Sequence, residues 1–153
     1  MPSVVKSSTH ARLFAFAELH KTCGHASDKG WIDIGLKMSD DMGATWSDLR
    51  VLYSEHDISP GTWVGNPCPL IDELSSTLWL IFCRNNTDVL AMKSTDWGTS
   101  WSTPKVISQD VLAPQWRSTP SWKGGWGWVA TGPPVSCMAS SLPPHRLTSL
   151  RTI

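Results

Sequence analysis

The chain has 153 residues, enough for one ordinary domain with a buried core. Its 13 basic residues balance its 13 acidic residues, which removes the electrostatic case for binding nucleic acid or an anionic membrane surface. Hydrophobic residues make up 41% and charged residues 17% of the chain, a balance that excludes wholesale disorder.

Short runs of β-branched and apolar residues follow one another along the chain, separated by turn residues. The first four predicted strands cover residues 2–5, 12–18, 32–38 and 49–54. The next four cover residues 66–72, 77–83, 88–93 and 104–108, and a last candidate covers 127–132. No segment has a sustained helical period. The sequence therefore predicts an all-β protein with two four-stranded antiparallel units.

One turn sequence occurs twice, between the third and fourth predicted strands of each unit. Residues 39–47 read SDDMGATWS and residues 94–102 read STDWGTSWS. In each turn the aspartate accepts hydrogen bonds from backbone N–H groups, the glycine allows a backbone conformation that other residues avoid, and the tryptophan is expected to pack into the sheet. We predict that both turns are structural and not catalytic. The residues concerned are Ser39, Asp41, Gly43 and Trp46 in the first turn and Ser94, Asp96, Gly98 and Trp101 in the second.

Repeated four-stranded units of this length are typical of a β-propeller, in which sheets called blades stack around an axis. Two units and one further strand do not close a ring. The repeats therefore predict a partial propeller with apolar sheet faces at its ends.

Metal and redox sites find little support in the sequence. The cysteines at 23, 68, 83 and 137 lack the spacing of a zinc or redox pair, and Cys68 and Cys83 are predicted to be buried free thiols. The five histidines are scattered, and His20 with His25 lacks further ligands, so neither a metal nor a cofactor is expected.

The sequence leaves the compartment undecided. No apolar run reaches the length of a membrane span, and the first twelve residues lack the apolar centre of a signal peptide. The protein is thus expected to be either cytoplasmic or separated from its leader by truncation.

The repeated turn resembles the Asp-box, or BNR repeat, of the sialidases (neuraminidases), and the flanking segments are similar to that family too. They are AFAE at 15–18, WIDI at 31–34, GNP at 65–67, LIFCRNN at 80–86 and WVATGP at 128–133. The resemblance covers roughly residues 2–134. It implies a six-bladed propeller with its active site on the axis, of which residues 1–134 would form part and residues 135–153 a divergent, irregular tail.

The resemblance implies an exo-α-sialidase, a glycoside hydrolase that removes terminal sialic acid from glycans, glycoproteins or glycolipids with retention of configuration. In the family an arginine triad grips the sugar carboxylate, a tyrosine paired with a glutamate is the nucleophile, and an aspartate is the acid and base. Carried over to this chain, the acid and base is Asp28, and the substrate-binding residues are Glu18, His20 and Asn66.

Several parts of the family's site fall outside this chain. The first triad arginine would precede residue 1, and the nucleophile, its glutamate and the other two arginines belong to later blades. The only tyrosine, Tyr53, is interpreted as a packing residue. Arg84 is either a ligand contact or a solvated charge at a strand end, and we favour the second interpretation. After Pro134 the sequence departs from the family, as an altered reading frame, a splice variant or a gene-model error would make it. We therefore expect an N-terminal fragment that does not hydrolyse its substrate alone.

Two other interpretations stay open. The chain could be a non-catalytic Asp-box module that binds carbohydrate or protein, or a translation product that does not fold. A longer parent sequence with the missing arginines and tyrosine would favour the sialidase fragment over the binding module. A cooperative unfolding transition would exclude the product that does not fold.

Overall fold

The computed structural model describes residues 2–21, 30–56, 58–85 and 87–111. They form two antiparallel four-stranded sheets, with strand order β1-β2-β3-β4 and β5-β6-β7-β8. The elements are β1 (Ser3–Lys6), β2 (Leu13–His20), β3 (Ile32–Ser39), β4 (Arg50–Tyr53), β5 (Val64–Asp72), β6 (Thr77–Arg84), β7 (Asp88–Ser94), β8 (Lys105–Val106) and α1 (Ser108–Val111).

The predicted all-β class and the two four-stranded units are confirmed, and the arrangement is consistent with a partial propeller. The predicted strand at 127–132 and the predicted tail at 135–153 lie outside the described residues.

The core lies between the two sheets. Phe14 and Phe16 from β2 belong to the same buried cluster as Leu80 and Phe82 from β6, and all four side chains are fully buried. In β2 the side chains alternate between the core and the other face, as period-two geometry requires. In β6 both faces are buried, which explains its unbroken apolar sequence from residue 78 to residue 83.

The last strand is shorter than predicted. The sequence indicated a strand over 104–108, but β8 covers Lys105–Val106 and helix α1 begins at Ser108. The reason is a change of acceptor. The backbone N–H of Val89 donates to Ser108 Oγ at 2.8 Å, so this side chain replaces a carbonyl partner and the strand ladder ends.

The first repeat turn, residues 39–47, is held by short-range hydrogen bonds to its serine and its aspartate. Ser39 Oγ donates to Asp41 Oδ1 at 2.8 Å and accepts the N–H of Gly43 at 2.8 Å. The N–H and hydroxyl of Thr45 donate to the same aspartate at 2.8 and 2.5 Å. These bonds, led by the one from the Thr45 hydroxyl, lower the pKa of Asp41 to about 2.

The second repeat turn, residues 94–102, has the same internal bonds and the same left-handed glycine. Ser94 Oγ donates to Asp96 Oδ1 at 2.7 Å, and the Ser100 hydroxyl donates to Asp96 Oδ2 at 2.5 Å. The pKa of Asp96 is lowered to about 2, first of all by the Ser100 hydroxyl. The φ angle is +87° at Gly98 and +95° at Gly43. The repeated sequence therefore specifies one repeated backbone geometry.

The two turns differ in their surroundings, because the second lies against the first sheet. Arg50 donates to the carbonyls of Gly98 at 2.6 Å and Thr99 at 2.9 Å, and Arg12 donates to the carbonyl of Trp97 at 3.3 Å. The ring of Trp101 meets Phe16 edge-on, with centroids 6.0 Å apart. This turn therefore belongs to the contact between the sheets.

The first turn is open to solvent. Trp46 is 39% exposed and Met42 is 49% exposed, so Trp46 does not pack into the sheet as the sequence pattern predicted. The repeat explains the difference. The second turn docks on β2 and β4 of the sheet before it, whereas no sheet precedes β1 in the described residues.

Candidate functional site

The predicted substrate-binding residues lie at the end of the sheets opposite the repeat turns. In the first sheet His20 pairs with Ile32 at one end of the β2–β3 ladder, and Leu13 pairs with Ser39, which opens the first turn, at the other end. In the second sheet the start of β5 pairs with the end of β6, through Val64 and Arg84. Glu18 is five residues along β2 from Leu13, so the candidate site lies roughly 17 Å from the turns.

Glu18 joins the two sheets at this end. Its Oε1 accepts the backbone N–H of Asn66 at 2.6 Å. The carboxylate fits there because residue 65 is a glycine, and a Cβ at that position would stand 2.6 Å from Glu18 Oε1. Asn66 has a φ of +55°, a left-handed conformation that asparagine tolerates better than most residues.

His20 completes the group. Its Nε2 lies 3.5 Å from Glu18 Oε2, and its ring is exposed. Burial alone would raise the pKa of Glu18, but hydrogen bonding overcomes that effect and the pKa is lowered, with the Asn66 N–H as the largest of the lowering contributions. The structure thus brings Glu18, His20 and Asn66 together around one ionised carboxylate. Asp28 lies outside the described residues.

A second polar group lies where the connection between β2 and β3 leaves and rejoins the sheet. The N–H of Lys21 donates to the carbonyl of Trp31 at 3.0 Å, and the Lys21 ammonium lies 3.7 Å from Asp33. The indole N–H of Trp31 donates to Asp33 at 3.0 Å, and its ring stacks on His56 with centroids 4.3 Å apart. Sequence reasoning did not single out these contacts. The one signal was a carboxylate, now 2% exposed, inside the apolar run of β3.

Tyr53 belongs to a partly buried polar network and not to a reactive pair. Its hydroxyl donates to Glu55, and its ring lies against Phe82 with centroids 5.4 Å apart. Burial, reinforced by Glu55, raises the pKa of Tyr53 to about 12. A nucleophilic tyrosine needs its charged form favoured, and here that form is disfavoured. This agrees with the packing role predicted for Tyr53.

The pKa of Tyr53 makes a direct prediction. Because the chain has one tyrosine, its phenolate absorbance near 295 nm reports this residue alone. We expect a midpoint close to pH 12, instead of the ordinary value near 10. Circular dichroism recorded at each pH gives the control, since unfolding would release the side chain. A midpoint near 10 with the fold intact would contradict the buried environment.

The described arginines are Arg12, Arg50 and Arg84, and each of them binds groups of this chain. Arg12 pairs with Asp40, and Arg50 binds the second repeat turn. Arg84 lies 3.1 Å from Glu55 and 2.6 Å from Asp88. It is thus an ion-paired, partly buried residue and not the solvated charge that the sequence favoured. Among the described residues, every arginine is thus bound by groups of the chain itself: Arg12 and Arg50 at the second repeat turn, and Arg84 at the opposite end of the sheets.

The described cysteines do not contribute to the candidate site. Cys68 and Cys83 are buried thiols outside any disulfide, as the sequence predicted. Burial raises the pKa of Cys83 to about 12, so this thiol is unreactive at neutral pH.

Within the described ranges no helix has the length and apolarity that crossing a bilayer requires. The same ranges hold no group of three or more metal-ligating side chains.

The fold is thus a pair of repeated four-stranded sheets with a polar group at one end, and comparisons with known proteins agree on its class. No protein-family model matches the sequence. The chain is 29% identical over 109 residues to a protein named sialidase from Bacteroides fragilis (strain YCH46). The matched region covers 56% of this chain and 20% of that protein.

A solved structure gives the same result. Hadza microbial sialidase Hz136 superposes with a TM-score of 0.64 at 26% identity, covering 74% of this chain and 26% of that one. The chain spans about a fifth to a quarter of the length of these proteins. Over the part that is covered, it is sialidase-like in sequence and in fold.

Proposed function

We propose that the chain is part of an exo-α-sialidase and that its two sheets form one wall of a site for terminal sialic acid on glycans, glycoproteins or glycolipids. The observation that carries this proposal is the convergence of Glu18, His20 and Asn66, three residues from two sheets, at one end of the structure. The sialidase-like fold supports it. On this proposal the repeated turns are Asp-boxes that brace two blades of a six-bladed propeller.

Asp28 is proposed as the acid and base. In the sequence it falls between Lys21 and Trp31, whose hydrogen bond lies at the same end of the sheets as Glu18. An aspartate there would protonate the leaving glycosidic oxygen and then activate water, as retention requires of one group.

We also propose that this chain does not turn over its substrate alone. The described arginines are held by other groups, and Tyr53 is kept protonated by burial. Without a carboxylate clamp and a nucleophile, an acid group supplies little of the rate enhancement that an enzyme needs. The same observations favour the second candidate function, a non-catalytic module that binds carbohydrate.

One experiment tests the proposal. The purified chain is incubated with the 4-methylumbelliferyl α-sialoside beside Asp28→Ala, while binding of N-acetylneuraminic acid is followed by NMR titration. We expect binding without release of the fluorophore, and binding at least about tenfold weaker in Asn66→Ala, because an asparagine that binds a polar ligand contributes roughly one charge-assisted bond. Leu74→Ala is the matched control, since Leu74 is 90% exposed and lies in the β5–β6 turn at the other end.

Three results are informative. Release of the fluorophore that is lost in Asp28→Ala would overturn the proposed inactivity and support the assigned acid. If the unaltered chain binds the sugar as strongly as Leu74→Ala does and releases no fluorophore, the result favours the non-catalytic module. Hydrolysis of the same substrate by a longer parent chain would instead favour the sialidase fragment. Absence of any binding would contradict the proposed sialic acid site.

A further inference from the structure

We propose that Glu18 is a positioning residue, which fixes the backbone of Asn66 and acts on a bound ligand through it. This inference rests on the proposed function and changes the part that Glu18 plays in it. The resemblance placed Glu18 against the sugar. The structure instead directs its Oε1 to the N–H of Asn66 at 2.6 Å.

The backbone at the start of β5 needs a partner from the other sheet. The β5–β6 register shifts between Gly65 and Cys68, so the two residues in between are not paired in the ladder. Two of their backbone groups bond to the first sheet: Glu18 accepts from Asn66 N, and Ser3 Oγ donates to the carbonyl of Pro67 at 2.7 Å. The bulge is therefore held from outside its own sheet.

The glycine at 65 makes this arrangement possible. Any Cβ at that position would stand 2.6 Å from Glu18 Oε1, closer than real Cβ contacts come. The second carboxylate oxygen, Oε2, lies 3.5 Å from His20 Nε2. Both oxygens of Glu18 thus face groups of the protein, and Asn66 is the residue whose conformation depends on them.

The positioning role predicts a specific order among variants. Glu18→Gln keeps an acceptor oxygen for Asn66 N–H, whereas Glu18→Ala removes it. Gly65→Ala leaves Glu18 in the chain but displaces its carboxylate. The first readout is hydrogen exchange of the Asn66 amide, measured by NMR on the full chain without ligand. The second is the Kd for N-acetylneuraminic acid.

We expect Glu18→Ala and Gly65→Ala to speed exchange of the Asn66 amide by about tenfold or more and to weaken binding by a similar factor, the effect of one lost hydrogen bond. Glu18→Gln should change both by about threefold or less, because the acceptor is retained. Recovery in this conservative variant is a result that direct contact between the charge of Glu18 and the ligand would not give.

Two results would overturn the inference. One is unchanged exchange of the Asn66 amide in Glu18→Ala. The other is binding lost as fully in Glu18→Gln as in Glu18→Ala while the amide stays protected, which would mean that the charge contacts the ligand directly. Failure of the proposed function looks different. The unaltered chain would then not bind the sugar, while the exchange of Asn66 would still respond to Glu18.

Discussion

Arg84→Ala is expected to lower the free energy of unfolding by about 3 kcal/mol, because it leaves a buried carboxylate without its partner. The Glu55 side chain is 9% exposed, and Arg84 lies 3.1 Å from it. The hydroxyl of Tyr53 remains bonded to Glu55 but carries no positive charge. The chain has ten tryptophans, so urea denaturation followed by tryptophan fluorescence measures the loss.

Two controls make this prediction specific. Asp88 is the other partner of Arg84, but its side chain is 37% exposed, so Asp88→Ala should cost about 1 kcal/mol or less. Glu55→Gln added to Arg84→Ala removes the unpaired charge and should recover much of the loss. An Arg84→Ala chain as stable as the unaltered one would instead support the sequence interpretation of Arg84 as a solvated charge.

Gly98→Ala is expected to cost about 3 kcal/mol, from two separate causes. The φ of +87° is left-handed, which costs an alanine roughly 1–2 kcal/mol. The added Cβ would also stand 3.1 Å from both Phe14 Cε1 and Met38 Sδ, and overpacking of this kind costs about 1–3 kcal/mol.

Two other glycines separate these causes, since they share the backbone conformation but not the crowding. At Gly61 the φ is +85° and nothing lies within 4 Å of an added Cβ, so Gly61→Ala should cost only the conformational part, about 1–2 kcal/mol. At Gly43 the nearest atom, Leu13 Cδ1, is 3.4 Å away, which predicts a loss between the other two. Equal losses at all three positions, by the same denaturation measurement, would show that the second turn is not tightly packed against the first sheet.

The repeat turns were predictable in detail because their chemistry is local. Every bond that holds Asp41 or Asp96 spans at most four residues, so the spacing of serine, aspartate and glycine was enough to predict it. The strands followed from apolar patterning for the same reason. The exposure of Trp46 was missed, because it depends on what lies beside the turn and not on the turn itself.

The contacts of the candidate site join residues that are far apart in the sequence. Glu18 and Asn66 are 48 residues apart, and Arg84 and Glu55 are 29 residues apart. Neither contact has a pattern along the chain. The family resemblance suggested that Glu18 and Asn66 belong to one site, but it did not show that one holds the backbone of the other. The role of Gly65 likewise required the position of a side chain from the other sheet.

The contact between the second turn and the first sheet has a consequence for substitution. Arg50 binds the carbonyl oxygens of Gly98 and Thr99, and Arg12 binds that of Trp97, so both guanidiniums recognise main chain. Every amino acid carries that oxygen. Residue 99, whose side chain is exposed, is therefore expected to tolerate a change in size and polarity while the sheets stay joined, provided that the backbone keeps its path. A contact to main-chain oxygens thus tolerates substitutions that a contact between side chains would not tolerate.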